Sequence, residues 1–454
     1  MTGPTDATTR RQVLGALGAA GLAGAVGEVP DVATAAGGGD WRLFRFDERN
    51  SGANPAGRGP SGPVGTRWTA SLGDVSTPPV LDADTAYVAD TGAGAVRAFD
   101  RATGDERWST SLEVVSPRMA LSGDTLYVPG DGLFALDADT GERLWTAGGD
   151  TYYAVLIRDG FAQVAGVDGL AAISLRNRET LWRNEPASVI DAAHVAGEER
   201  LFAVSSRYAR VRAVDPGGGN TRWKRNLEMA LEGAPVVAGG RLLVPGESAL
   251  TALDVTTGST VWTDDRPVRG SVAATGGTVY GNTADGETFA LDAETGTEAW
   301  RRATVSPAGG PTMVGDALFL AGDDGTVAAV DPADGTERWR SGVDGPLETP
   351  PVVAGGEMVV AGGGTVHSLA ADAATPAPTA AEGTATPTAT PTGTATRTAT
   401  EDAGSDDDEE GGGMVMAAVA VGALLVGGAG AAVLGSDAIR EALGSSDEDG
   451  DGAT

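Results

Sequence analysis

Side chains able to do acid–base or metal chemistry are scarce in this 454-residue chain. His194 and His367 are its only histidines, and cysteine is absent. A Ser-His-Asp relay therefore has two candidate bases, and a histidine-rich metal centre is excluded. Both histidines fall in runs that read as strands or strand edges, which assigns them a structural or surface role. Without cysteine there is no disulfide framework and no cysteine-based zinc site. Three Asp-Gly turns, at 167–169, 284–286 and 323–325, resemble fragments of calcium loops. Each lacks the oxygen ligands at alternate positions that such a loop requires. The sequence thus assigns no catalytic residue and no metal ligand.

What remains is charge. The chain carries 63 acidic against 32 basic residues, a formal charge of −31, and Lys224 is its one lysine. Residues 176–225 run against that balance. They hold Arg176, Arg178, Arg183, Arg200, Arg207, Arg210, Arg212, Arg222, Lys224 and Arg225. Opposing them are Glu179, Glu185, Asp191, Glu198, Glu199 and Asp215, so ten cations against six anions leave +4. One reading pairs these arginines with neighbouring carboxylates. The other makes the stretch a contact face for an acidic protein or glycan, centred on Arg207, Arg210, Arg212 and Lys224. Guanidinium suits that task because it grips a carboxylate through two parallel hydrogen bonds. Strand alternation places Arg210 and Arg212 on one face and Val211 on the other.

The elements that position these residues repeat. "ALDAETGTEAW" (290–300) returns as "AFDRATGDERW" (98–108), "ALDADTGERLW" (135–145), "ALDVTTGSTVW" (252–262) and "AVDPADGTERW" (329–339). Looser copies are "AISLRNRETLW" (172–182), with Ser174, Asn177 and Arg178 at the turn positions, and "AVDPGGGNTRW" (213–223). The closing tryptophans are Trp68, Trp108, Trp145, Trp182, Trp223, Trp262, Trp300 and Trp339, spaced 37 to 41 residues apart. A fixed period of this length marks a repeat architecture.

Each repeat predicts four short antiparallel strands, such as 77–81, 85–89, 95–99 and 106–110 in the first copy. In the D-x-x-T-G turn the Asp accepts from backbone N–H groups and the Gly adopts positive φ. The Trp then lands on the outermost strand, where it covers the seam to the next sheet. The last repeat has strands at 349–353, 357–361 and 365–369 but no Trp, while 66–70 is an orphan outer strand with Trp68. The two defects complement each other. The expected fold is all-β: an eight-bladed β-propeller of four-stranded blades, its last blade completed by the N-terminal strand.

On these D-x-x-T-G-x-x-x-W elements, residues 40–370 resemble the PQQ-like (quinoprotein-type) propeller repeat. The resemblance implies two kinds of relative. Quinoprotein dehydrogenases hold pyrroloquinoline quinone stacked on a Trp, often against vicinal cysteines, with calcium held by Glu and Asn or Asp. Non-catalytic propellers resembling the outer-membrane assembly factor hold neither. Here the eight repeat tryptophans belong to outer strands, only Trp41 is spare, and no quinone or calcium ligand can be placed. The expectation is a propeller without cofactor or metal, acting as a binding or scaffolding module. A PQQ- and calcium-dependent dehydrogenase and a purely structural envelope component are the alternatives.

The flanks suggest a cell-surface protein. Residues 1–36 contain "TRRQVLG" (9–15) before a short apolar run and resemble a twin-arginine export signal. The lead-in, 37–65, brings Trp41, Phe44 and Phe46 to cover one surface of the propeller, which spans 66–371. Residues 375–400 contain eleven Thr and four Pro, an extended stalk within the linker 372–410 that ends in "EDAGSDDDEE". Residues 411–434 include Met414–Leu434, uncharged and about 30 Å long as a helix, enough for one membrane crossing. An acidic tail, 435–454, would lie inside the cell and the propeller outside. The overall acidity resembles proteins of salt-loving archaea, where screening lengths of about 3 Å make self-repulsion cheap. It also makes nucleic acid an unsuitable partner.

Overall fold

The computed structural model describes residues 39–75, 78–184, 191–195 (backbone only), 200–205 and 209–371. The segments expected to be an export signal, a stalk and a membrane crossing, and Arg207, lie outside the described residues. Among the described residues no helix is long and apolar enough to cross a membrane. Their regular structure is all β, with strands in seven sheets.

The first repeat folds as Val80–Leu81, Thr85–Asp90, Ala95–Asp100 and Glu106–Ser111, in that order across its sheet. The sheets closing at Trp223, Trp262 and Trp300 have the same four-stranded order. Each repeat takes its name from its closing tryptophan. The Trp145 and Trp182 repeats differ, because they share one six-stranded sheet. Strand Arg143–Arg158 carries Trp145 at one end and pairs with Phe161–Gly166 at the other. The link between these two repeats is therefore continuous strand, where other repeats have a loop.

The orphan strand finds its place. Gly65–Ser71 pairs antiparallel with Thr365–Ala370, which pairs with Glu357–Gly362 and that with Val352–Ala354. First strands of successive sheets lie side by side from Arg143–Arg158 through Val352–Ala354, so they form the inside and the tryptophan strands the rim. Hydrophobic core fills the seams between sheets. Phe202, Val204 and Val211 of the Trp223 repeat, for example, pack on Val237, Leu242 and Val244 of the next. Each such buried side chain contributes roughly 1.5–3 kcal/mol.

The lead-in makes a circuit of these inner strands. Trp41 bridges Leu81, and Leu43 bridges Ala120. Glu48 meets Arg158 at 3.4 Å, the Arg49 carbonyl accepts from Val237 at 3.1 Å, and that of Ser51 from Ala274 at 2.8 Å. Ala53–Asn54 then adds as a parallel strand to Thr312–Val314, and the Arg58 carbonyl accepts from Gly356. These partners lie at the first hairpin of each sheet, the end that also carries the D-x-x-T-G turns. Arg45 is the spoke of this circuit: its Nη2 donates to the carbonyls of Val272 (2.6 Å) and Pro311 (3.2 Å). Burial pulls its pKa down to about 10, and it remains a cation at neutral pH. Trp41 is buried, with its ring 5.1 Å from that of Phe46.

Candidate functional site

The repeated turn is a joint between sheets. In the Trp300 repeat, Asp292 Oδ1 accepts from the N–H groups of Glu294 (3.1 Å) and Thr295 (2.8 Å). A bond from the Thr295 hydroxyl, and then those from the two N–H groups, hold its carboxyl below the usual range. Gly296 follows at φ 74°, and a Cβ there would sit 2.7 Å from the indole of Trp262, one repeat back. Trp262 in turn donates its Nε1–H to the Ala293 carbonyl at 3.2 Å. Trp68, Trp108, Trp182, Trp223 and Trp300 donate across their seams in the same way. So the motif glycine is fixed twice, by its dihedral and by the ring against it.

Where the motif fails, chemistry changes. Arg178 replaces the glycine, keeps the positive φ (65°), and sets its guanidinium 5.6 Å from the Trp145 ring centroid. This is a cation–π cover in place of a close contact. One strand inward, Gln163 pairs with Ala172, which pairs with Trp182. In five other repeats that row starts with an aromatic, Tyr87, Tyr127, Phe202, Tyr280 or Phe319, each 5.7–6.2 Å from its own tryptophan. Gln163 is buried, and its Oε1 has no hydrogen-bond partner. The Trp182–Trp223 seam is thus more polar than its neighbours.

The cations face that seam. Arg212 stands directly opposite Lys224, and Arg210 opposite Asn226 on one side and Ser205 on the other. Directly paired residues share a face, so Ser205, Arg210, Arg212 and Lys224 lie together. Val211, fully buried, points the other way into the core toward the Trp262 repeat. Arg212 is 8% exposed and donates Nη1–H to Asn184 Oδ1 at 3.1 Å. Asn184 is itself held through Nδ2 by the Gly219 carbonyl and Thr221 Oγ1. Arg210 Nε donates to Asn226 Oδ1 at 3.0 Å, and Lys224 is exposed. Burial, then the nearby Arg210 charge, lower the Arg212 pKa. Ser205 is 3% exposed, with no partner for its hydroxyl.

The wider basic stretch does not form one surface. Arg183 pairs with Asp150 and Arg222 with Asp215. Arg225, opposite Val211, reaches toward Thr260 at 3.5 Å on the far face. Local ion pairing therefore accounts for Arg183 and Arg222, while Arg210, Arg212 and Lys224 share one face.

The other candidates stay apart. His367 is buried in strand Thr365–Ala370, Nε2 lacks a partner, and burial lowers its pKa. His194 lies on strand Asp191–Val195. Among the described residues no three His, Asp or Glu side chains converge as metal ligands. The spare tryptophan, Trp41, is 2% exposed beneath the Trp108 repeat and offers no free face to a planar ring. Its fit to a stacked quinone is poor.

A sequence profile described as outer membrane protein assembly factor BamB matches residues 59–167, 167–310 and 284–425. No curated protein sequence matches the chain. Among solved structures, BamB from Moraxella catarrhalis is 20% identical with a TM-score of 0.57, covering 68% of this chain and 97% of its own. Quinohemoprotein alcohol dehydrogenase from Comamonas testosteroni is 17% identical at TM-score 0.60, covering 74% and 82%. A europium-containing methanol dehydrogenase is 13% identical at 0.59, covering 72% and 89%. At these identities the likenesses establish the fold, which assembly factor and dehydrogenases share. With the profile spanning most of its length, the chain belongs to the PQQ-like β-propeller family described as outer membrane protein assembly factor BamB.

Proposed function

We propose that this protein is an exported, membrane-anchored propeller that works by contact, binding an acidic partner through Arg210, Arg212 and Lys224. The carrying observation is that three cations share one face at an irregular seam of a chain with net charge −31. Eight four-stranded blades close its ring, with Gly65–Ser71 completing the last. The direct pairing with Thr365–Ala370 and the Trp68 bond to Arg101 support that count. The buried Trp41 and the absence of cysteine favour a working protein without quinone or calcium. The export signal, stalk and 414–434 segment argue for a propeller held outside the cell on one crossing.

Envelopes from the native host, stripped of their own copy, should bind the purified protein saturably. Arg210→Glu with Lys224→Glu should weaken that binding by tenfold or more, about 1.4 kcal/mol or above. Reversing Arg338 and Arg340, on the rim of the Trp339 repeat, should leave it unchanged. Equal losses from both pairs would mean that only bulk charge matters, and the assignment of this face would fail.

A further inference from the structure

We propose that His367 is an acid-sensitive latch: once its imidazole is protonated, strand Gly65–Ser71 separates from Thr365–Ala370 while the other sheets stay intact. His367 lies between two strands, directly opposite Thr69 on one side and Val360 on the other. The next residue, Ser368, is paired with Trp68. In the Trp145 and Trp300 repeats the residues in the place of His367 are Phe134 and Phe289, each preceding the alanine paired with its tryptophan. Both are buried. The first repeat keeps a charge there, Arg97, but answers it with Asp90 and Glu106 at 3.3 and 3.0 Å. An ionisable ring thus stands in a core position of the sheet that joins segments about 300 residues apart.

His367 is 4% exposed, and its buried Nε2 has no hydrogen-bond partner. A neutral imidazole tolerates this, because one ring nitrogen carries no hydrogen. An imidazolium has an N–H on both nitrogens and needs an acceptor for each. The surroundings supply little. On its face of the sheet, Thr365, Leu369, Met358, Val360 and Thr69 are uncharged. Ser368, Glu357 and Arg101 are bonded together on the other face. From the Trp339 repeat, Phe319, Val327 and Ala329 share a core cluster with Val360 and Leu369. Arg338 and Arg340, which alternate with Trp339, pair with Asp331 and Glu337. Arg67, in the bulge beside Trp68, is exposed. The linker after the Trp339 repeat packs Val343 on the cluster and brings Asp344, whose charge favours the protonated ring. Its other carboxylate, Glu348, lies at the far end, with its N–H bonded to the Ala361 carbonyl. Burial dominates and lowers the His367 pKa, with Asp344 opposing. Below the ordinary histidine value, about 6.5, the open form therefore binds a proton that the closed sheet does not, and closure weakens as pH falls.

Hydrogen exchange of the full-length protein, corrected for intrinsic rates, tests this between about pH 7.5 and 5.5, above the carboxylate range. Protection of residues 65–71 and 365–370 should fall by up to about tenfold per pH unit, the limit for one proton. Strands Thr260–Asp264 and Glu298–Ala303 of other repeats should change little. His367→Phe, the residue two other repeats use, should abolish the pH dependence and keep full protection at the upper pH. His367→Gln, polar and unable to titrate, should give one constant level at every pH. Should the Phe variant misfold, the Gln variant carries the comparison. The chain has two histidines, so ¹³C-labelled histidine gives two NMR signals, and either variant identifies that of His367. This signal should titrate below the usual histidine range. Equal loss of protection across all sheets, pH-independent protection of the closing pair, or unchanged pH dependence in either variant overturns the latch.

Discussion

Trp68→Ala is expected to destabilise the propeller by roughly 3–5 kcal/mol, as much as Trp300→Ala does. The two residues are far apart in role by sequence and alike in structure. Each is 7% exposed, and each donates its indole N–H across a seam, Trp68 to Arg101 at 2.8 Å and Trp300 to Pro332 at 2.9 Å. Each lies against the motif glycine of the following repeat, Gly104 or Gly335. Trp68 also stacks on Phe99 at 6.1 Å. Its strand differs in one respect: it pairs with Thr365–Ala370, about 300 residues later, so its loss opens the ring. Urea unfolding of both variants measures this. Deleting residues 40–70 should go further and abolish folding. A soluble 71–371 fragment with an unchanged melting point would contradict the closure.

The same seam carries a buried ion pair with an effect of similar size. Arg101 follows the turn Asp of the first repeat, and its guanidinium lies 2.9 Å from the Glu357 carboxylate, with side chains 7% and 4% exposed. Arg101 also donates to the carbonyls of Gly39, Asp82 and Ala354, and Glu357 accepts from Ser368. One side chain thus ties together the lead-in, the first sheet and the last. Arg101→Met or Glu357→Leu leaves a buried charge without its counterpart and should cost about 3–5 kcal/mol. The double variant should recover part of that loss, because a buried pair returns little beyond its own desolvation. Single variants as stable as the parent would show that the clasp holds nothing.

The repeat chemistry was legible because it is local. D-x-x-T-G specifies a turn with its own hydrogen bonds, and the Trp four residues after the Gly falls on the next strand whatever lies outside. The complement between 66–70 and the incomplete last repeat was legible for the same reason. Arg101 was not, since it occupies a motif position that elsewhere holds Ala138, Val255 or Ala293, and nothing nearby marks Glu357 as its partner. The lead-in circuit was hidden too: most of its bonds run between backbone groups, which carry no side-chain signature. The alternation argument placed Arg210, Arg212 and Val211 on their faces. It could not sort Arg183 or Arg222, whose partners Asp150 and Asp215 are 33 and 7 residues away. Gln163 had a signal that went unused, as the polar exception at a position aromatic in five other repeats.

The contact-face account is tested most directly at Lys224 in living cells. A membrane-impermeant amine reagent is applied to intact cells and to detergent-purified protein, and modification of this single lysine is read by mass spectrometry. The account predicts strong modification when purified and at least tenfold less in cells, where the partner covers the face. Arg210→Glu with Arg212→Glu should restore modification in cells, which also requires the face to be outside. Equal modification of the unaltered protein in both settings would contradict a bound partner. Protection that persists in the double variant would contradict the face or its location.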